Sequence, residues 1–151
     1  MKKYLKCILK TLKIILGGRF MRILIAEDDY VSRTFLYKFL SKYGECDVTV
    51  DGIEALEVFM MSLDEELYYD LVCLDIMMPE VDGINVLKTI RILEEERKVA
   101  EDSKCKVIMT TALNATEKVQ SAFEIGAQGF AVKPIDVDKF VDVLKKLKLV
   151  E

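Results

Sequence analysis

Four short apolar runs in this chain each end in residues that can do chemistry. MRILIA (21–26) leads into Glu27-Asp28-Asp29, LVCL (71–74) into Asp75, KVIM (106–109) into Thr110-Thr111, and GFAV (129–132) into Lys133-Pro134. Taken singly, each end has a plain explanation. Asp29 reads most simply as a helix N-cap, alternation lets only one of Thr110 and Thr111 face a given site, and Lys133 alone would be a solvated cation. Brought together, they suit one kind of chemistry. Crowded carboxylates repel and raise one another's pKa unless a cation sits among them. One or two carboxylates, with waters completing the shell, suit Mg²⁺. A carboxylate held ionised beside that metal can attack phosphorus and form an acyl phosphate. Lys133 and the metal would neutralise the phosphoryl oxygens, and Thr111 would donate a hydrogen bond to one of them. Asp75 is the expected nucleophile.

Whether the groups meet depends on the elements that carry them. The hydrophobic period switches repeatedly between strand and helix. MRILIA is a β-rich run, and after Asp29 the spacing of Val31, Phe35, Leu36 and Phe39 predicts a helix up to Gly44. CDVTV (46–50) predicts a second strand, and Asp51-Gly52 opens a helix with Leu56, Phe59, Met60 and Leu63 inward. The run Tyr69–Leu74 comes next, then a helix from about Ile84 to Lys98 and the strand KVIMTT (106–111). Asn114-Ala-Thr-Glu117 resembles a capping box before a helix that stops near Gly126. After the fifth strand, GFAV, Asp136 can cap a last helix with Val137, Phe140, Val141, Leu144 and Leu147 on its inner face. Five β–α units in strict alternation imply an α/β fold, a doubly wound parallel sheet with helices on both faces. Functional groups in such sheets collect at the carboxyl ends of the strands. All four chemical clusters sit there.

Charge and cysteine usage exclude other classes. Residues 1–20 hold six Lys/Arg and no acid, which leaves a net charge of −10 on the other 131 residues. A body so acidic argues against nucleic acid as a partner, since phosphate backbones need Lys/Arg. Four well-separated cysteines and no His exclude the usual zinc spacings and fit reduced thiols in a cytoplasmic protein.

With the motifs ILIAEDD, LVCLDIMMPEVDG, VIMTTA and GFAVKP in this order, the chain resembles the receiver domains of two-component response regulators from Met21 to near Val150. The resemblance implies the flavodoxin-like strand order 2-1-3-4-5. It implies Mg²⁺ held by Glu27, Asp28, Asp75 and the Met77 carbonyl, with Asp75 as phospho-acceptor. Thr111 matches the switch hydroxyl, Phe130 the switch aromatic, and Lys133 the lysine whose bond to the following Pro134 is typically cis. Because no output domain follows the last helix, the implied function is a single-domain response regulator of chemotaxis or phosphorelay type. It would take phosphoryl from a histidine kinase or phosphotransfer protein and signal to a downstream protein through helix four, strand five and helix five of the alternation. It would not be an enzyme in the ordinary sense, though it catalyses its own phosphorylation and dephosphorylation. Two rivals are a haloacid-dehalogenase-like phosphatase, whose second Asp would stand where Met77 is, and a non-phosphorylated pseudo-receiver acting as a binding module. Met77 and Leu113, two past the acceptor and the switch Thr, are both apolar; the expectation is a slow-decaying phosphoform.

Two stretches depart from the family pattern. EEERKVAEDSKCK (94–106), after a lengthened helix, reads as a solvated extension. Residues 1–20 form a basic amphipathic extension ahead of a receiver domain at 21–151, with Leu5, Ile8, Leu9, Leu12, Ile15 and Leu16 on one face. That face suits an anionic membrane surface, a partner, or a second copy in a homodimer. A translation start at Met21 would remove it.

Overall fold

The computed structural model describes residues 2–15, 20–112 and 116–151. Its elements run α1 (Lys2–Ile15), β1 (Met21–Ala26), α2 (Tyr30–Leu40), β2 (Gly44–Thr49), α3 (Gly52–Asp64), β3 (Leu71–Asp75), α4 (Gly83–Glu96), a 3₁₀ turn (Glu101–Ser103), β4 (Lys106–Thr111), α5 (Thr116–Ile125), β5 (Gly129–Val132) and α6 (Val137–Lys146). The strands form one parallel sheet of order β2-β1-β3-β4-β5. Strand order reverses between β1 and β3, so their carboxyl ends flank the crevice where such sheets place their sites.

Side-chain alternation splits the core in two. Leu24, Val72, Leu74, Val107 and Met109 pack on one face with Phe59 of α3, Val86 and Ile90 of α4, and Ala122 of α5. Ile23, Ile25, Leu71, Cys73 and Ile108 pack on the other with Leu36 and Phe39 of α2 and Phe140 and Leu144 of α6. Helices therefore cover both faces, as the β–α alternation predicts.

The helical stripes differ in detail from the sequence reading. Val31, Phe35 and Val137 are exposed rather than inward. Val31 and Val137 sit in the first turns of α2 and α6, which begin beyond the sheet's carboxyl edge. On α3 the buried stripe is Gly52, Ala55, Phe59, Ser62 and Leu63, and Met60 faces out. Small residues take the close-approach positions that the bulkier Met60 was expected to fill. α2 ends at Leu40, and Gly44 begins β2 instead of ending the helix. Met77, Ala112 and Lys133 lie just outside strands. The proposed cap at Asn114, like Leu113, falls outside the described residues.

The charged stretch 94–106 is not simply solvated. Glu94 is 1% exposed, and Val99 and Cys105 are buried with it. Arg91 Nη1 donates to Glu94 Oε1 at 2.5 Å, and the Cys105 N–H donates to Oε2 at 2.9 Å. The same guanidinium donates to the carbonyls of Cys105 and Gly126 and to Gln128 Oε1. Gly126 has φ +122° and a Cβ there would stand 3.2 Å from Arg91 Nε, so the turn that presents its carbonyl favours glycine. This network ties α4 to the amino ends of β4 and β5, across the sheet from the acidic cluster.

Candidate functional site

Local contacts at the ends of β1 and β3 bring the acidic groups together. β1 ends at Ala26, and the Glu27 N–H extends the ladder by donating to the Thr49 carbonyl at 3.2 Å. Asp29 then caps α2, accepting from the Ser32 N–H at 2.8 Å, so its carboxylate serves the helix, as its position suggested. Arg33 Nη1 holds the intervening turn through the carbonyls of Glu27 and Asp28, at 2.9 and 3.0 Å. At β3 the chain leaves Asp75 and folds back over it. A Cβ on Gly83 would stand 2.2 Å from the Asp75 carbonyl oxygen, and the Gly83 N–H donates to the Ile76 carbonyl at 2.9 Å. Only glycine lets the loop return so closely.

Carboxylate oxygens of Glu27, Asp28 and Asp75 lie within 4.8 Å of one another. Glu27 and Asp75 are buried and Asp28 is exposed, which leaves the cluster open on one side. Lys133 crosses the crevice from the end of β5, with Nζ 3.1 Å from Asp75 Oδ2. It lies 2.8 Å from Glu27 Oε2 but donates in alignment to Oε1, at 2.9 Å. Oε2 is thus buried with no aligned donor. Asp75 Oδ1 accepts from the Met77 N–H at 3.1 Å. The Lys133–Pro134 peptide is cis.

Thr111 is placed differently from Lys133. Register pairs Asp75 with Thr110 and sets Thr111 one residue further toward the carboxyl edge. The single Thr111 hydroxyl proton goes to the Ala112 carbonyl at 3.2 Å. Phe130 is 39% exposed on β5 and meets the Phe123 ring edge-on at 5.7 Å. Met77 is exposed, and Lys118 of α5 brings its Nζ to 3.0 Å from the Met77 sulfur. The approach beside Met77 thus carries a cation, where the sequence alone suggests an apolar surface.

Electrostatics mark the cluster as short of positive charge. Burial first, and the Glu27 charge second, push the Asp75 carboxyl up to about 7, against the opposing pull of Lys133. Burial works to lower the Lys133 pKa, but hydrogen bonds to Glu27 and Asp75 outweigh it and hold the ammonium above its ordinary range. In the folded, metal-free protein Asp75 therefore keeps a proton that the unfolded chain loses near pH 4. Stability from this group is full below that pH and is lost as pH rises through about 7. Urea midpoints in chelator should fall over that window for wild type, with a flatter profile in Asp75→Asn. Equal slopes would contradict the assignment.

Arg33, Gly83 and Lys118 escaped the sequence reading. Arg33 left one signal: a cation near a helix amino terminus, where the macrodipole disfavours it, needs another reason to be there.

A family model described as the response regulator receiver domain matches residues 23–145. Sporulation initiation phosphotransferase F of Bacillus subtilis (strain 168) is 31% identical over 126 residues, spanning 83% of this chain and 91% of that protein. Chemotaxis protein CheY of Listeria monocytogenes is 33% identical over 129 residues, spanning 83% and 97%. The solved receiver domain of the Francisella response regulator 1452 matches with TM-score 0.65 at 29% identity, over 84% of this chain and 95% of its own. Sheet order, site placement and sequence likeness agree, and the chain belongs to the response regulator receiver domain family.

Proposed function

We propose that this receiver works as a single-domain response regulator in the cytoplasm, accepting a phosphoryl group on Asp75 from a phosphohistidine on a partner kinase or phosphotransfer protein. The observation that carries the reading is the Lys133 ammonium, 3.1 Å from Asp75 inside a cluster of three carboxylates. The likeness to a relative named as a phosphotransferase supports a relay role, and the absence of His in the sequence fits an acceptor rather than a histidine donor.

The donor set fits Mg²⁺. Its atoms are hard oxygens, and one of them, Glu27 Oε2, is buried without an aligned donor. Glu27, Asp28, Asp75 and the Met77 carbonyl would hold the ion. When bound, Mg²⁺ supplies positive charge against which carboxylates and phosphoryl oxygens can sit together. Asp75, ionised, attacks phosphorus; its O–P bond forms as the N–P bond to the donor imidazole breaks, and the imidazole leaves with the electron pair. Lys133 already bridges the acceptor and turns from Asp75 Oδ2 to a phosphoryl oxygen. Thr111 gives up the Ala112 carbonyl for the phosphoryl group, and Phe130 leaves its exposed position beside Phe123. Phosphorylation would thereby bias a pre-existing equilibrium of the face made by α5, β5 and α6, where a downstream protein reads it.

Incubation with acetyl phosphate and Mg²⁺ should add one phosphoryl group by intact mass, and EDTA should prevent it. A mass unchanged under both conditions would favour a receiver that acts by binding alone. Lys133→Ala should retain Mg²⁺ binding by calorimetry but lose the phosphorylation-dependent change in hydrogen exchange across β5 and α6. A normal exchange response in that variant would remove Lys133 from the switch.

A further inference from the structure

Outside the phosphorylation site, the most unbalanced feature of the molecule is α1. Its Leu5, Ile8, Leu12 and Ile15 are between 46% and 71% exposed, and Tyr4 beside them is 74% exposed. An apolar stripe held in water is costly unless something covers it. Residues 1–20 also carry Lys2, Lys3, Lys6, Lys10, Lys13 and Arg19 with no acid among them.

Three occupants can be weighed by charge. The protein's own body is acidic and would attract the cations, yet it leaves the stripe of α1 exposed. A second copy of α1 could use the 3-4-3 spacing of residues 5, 8, 12 and 15 as a coiled-coil seam. That pairing sets cations against cations, with no acid in either segment to bridge them. An anionic lipid surface covers the stripe and neutralises the lysines at once. Tyr4 fits the same place, since an aromatic ring with a polar tip suits the headgroup level. Spanning is excluded for the described helices: α1 has 14 residues, and none is long and apolar enough to cross a bilayer.

We propose that α1 lies in the plane of an anionic membrane surface and tethers the receiver there. The acidic body is repelled by the same lipids, so it stands off the surface with its phosphorylation site accessible. Attachment is reversible, because one short helix without a lipid anchor binds only moderately, and salt weakens it.

Vesicle cosedimentation of the full chain tests this, using phosphatidylcholine with and without phosphatidylglycerol. Binding is expected only with phosphatidylglycerol and should decline as salt rises. An Ile8→Asp, Leu12→Asp double variant should bind roughly a hundredfold more weakly, through the lost apolar burial. Its urea midpoint should match wild type, which separates lost docking from lost folding. Lys6→Gln, Lys10→Gln, Lys13→Gln should weaken binding while leaving the stripe intact. Equal binding to neutral vesicles would overturn the proposal. So would concentration-dependent dimerisation that the double Asp variant abolishes in the absence of vesicle binding. An intact mass of the protein from its native cells that begins at Met21 would also overturn it.

Discussion

Asp75→Asn is expected to abolish phosphoryl uptake from acetyl phosphate completely while leaving a folded and, without metal, more stable protein. The two effects come from different properties of one group. Uptake requires an anionic carboxylate oxygen aimed at phosphorus, and a neutral amide of the same shape is too weak a nucleophile to replace it. Stability responds to the cost of keeping that oxygen charged. Asp75 is 4% exposed and shares its pocket with the buried Glu27, and these penalties outweigh the help from Lys133, since its carboxyl is pushed up to about 7. The amide keeps the acceptor for the Met77 N–H, removes the repulsion with Glu27, and frees Lys133 to serve both Glu27 oxygens. A gain on the order of 1 kcal/mol or more at neutral pH follows, because each unit of pKa displacement is worth about 1.4 kcal/mol. Intact mass after acetyl phosphate treatment and urea unfolding in chelator measure the two halves separately. A variant that still gains one phosphoryl group would move the acceptor elsewhere. A variant that loses uptake but also loses stability would leave Asp75 as acceptor and refute the account of its charge.

The sequence was most informative where two signals agreed. β4 and β5 were located to the residue, because each is an apolar run stopped by Thr111 or Lys133-Pro134, and the N-caps at Asp29, Asp51 and Asp136 are seen as hydrogen bonds. Strand ends that carry the candidate groups are also the strongest breaks in the apolar pattern, so the strands and the cluster at their carboxyl ends were legible together. Errors arose where size or charge stood in for position. Met60 attracted the inward assignment on α3 that belongs to Ala55 and Ser62, since a period count rewards bulk and close helix packing rewards its absence. The hydrogen bonding of Thr111 was not legible either, because an apolar pattern does not show that its hydroxyl donates to the Ala112 carbonyl. Long-range partners were the least visible. Lys118 reaches Met77 from another element, 41 residues away in sequence.

The same failing hid Glu94, and the consequence is large enough to measure. Within EEERK it looked like one solvated acid among several, but its side chain is 2% exposed and pinned between Arg91 Nη1 and the Cys105 N–H. Two local signals were present: Arg91 lies three residues earlier, one turn up the same face, and Val99 is an apolar residue among charges. Deleting one member of a buried pair strands the other's charge, which typically costs about 3–5 kcal/mol, far more than a surface salt bridge contributes. Glu94→Ala should therefore fall in that range by urea unfolding, for it leaves both the guanidinium and a buried N–H without their acceptor. Arg91→Ala should lose as much, since it also releases the carbonyls of Cys105 and Gly126 and the Gln128 side chain. The double variant should cost clearly less than the sum, because each single change already breaks the shared contact. Phosphoryl uptake at temperatures where the variants stay folded should be unchanged, as the network sits at the amino ends of β4 and β5 and Asp75 at the carboxyl edge. Single losses under about 1 kcal/mol would return Glu94 to the solvated surface. Additive losses would mean that Arg91 and Glu94 act through separate contacts and that no single network closes this end of the sheet.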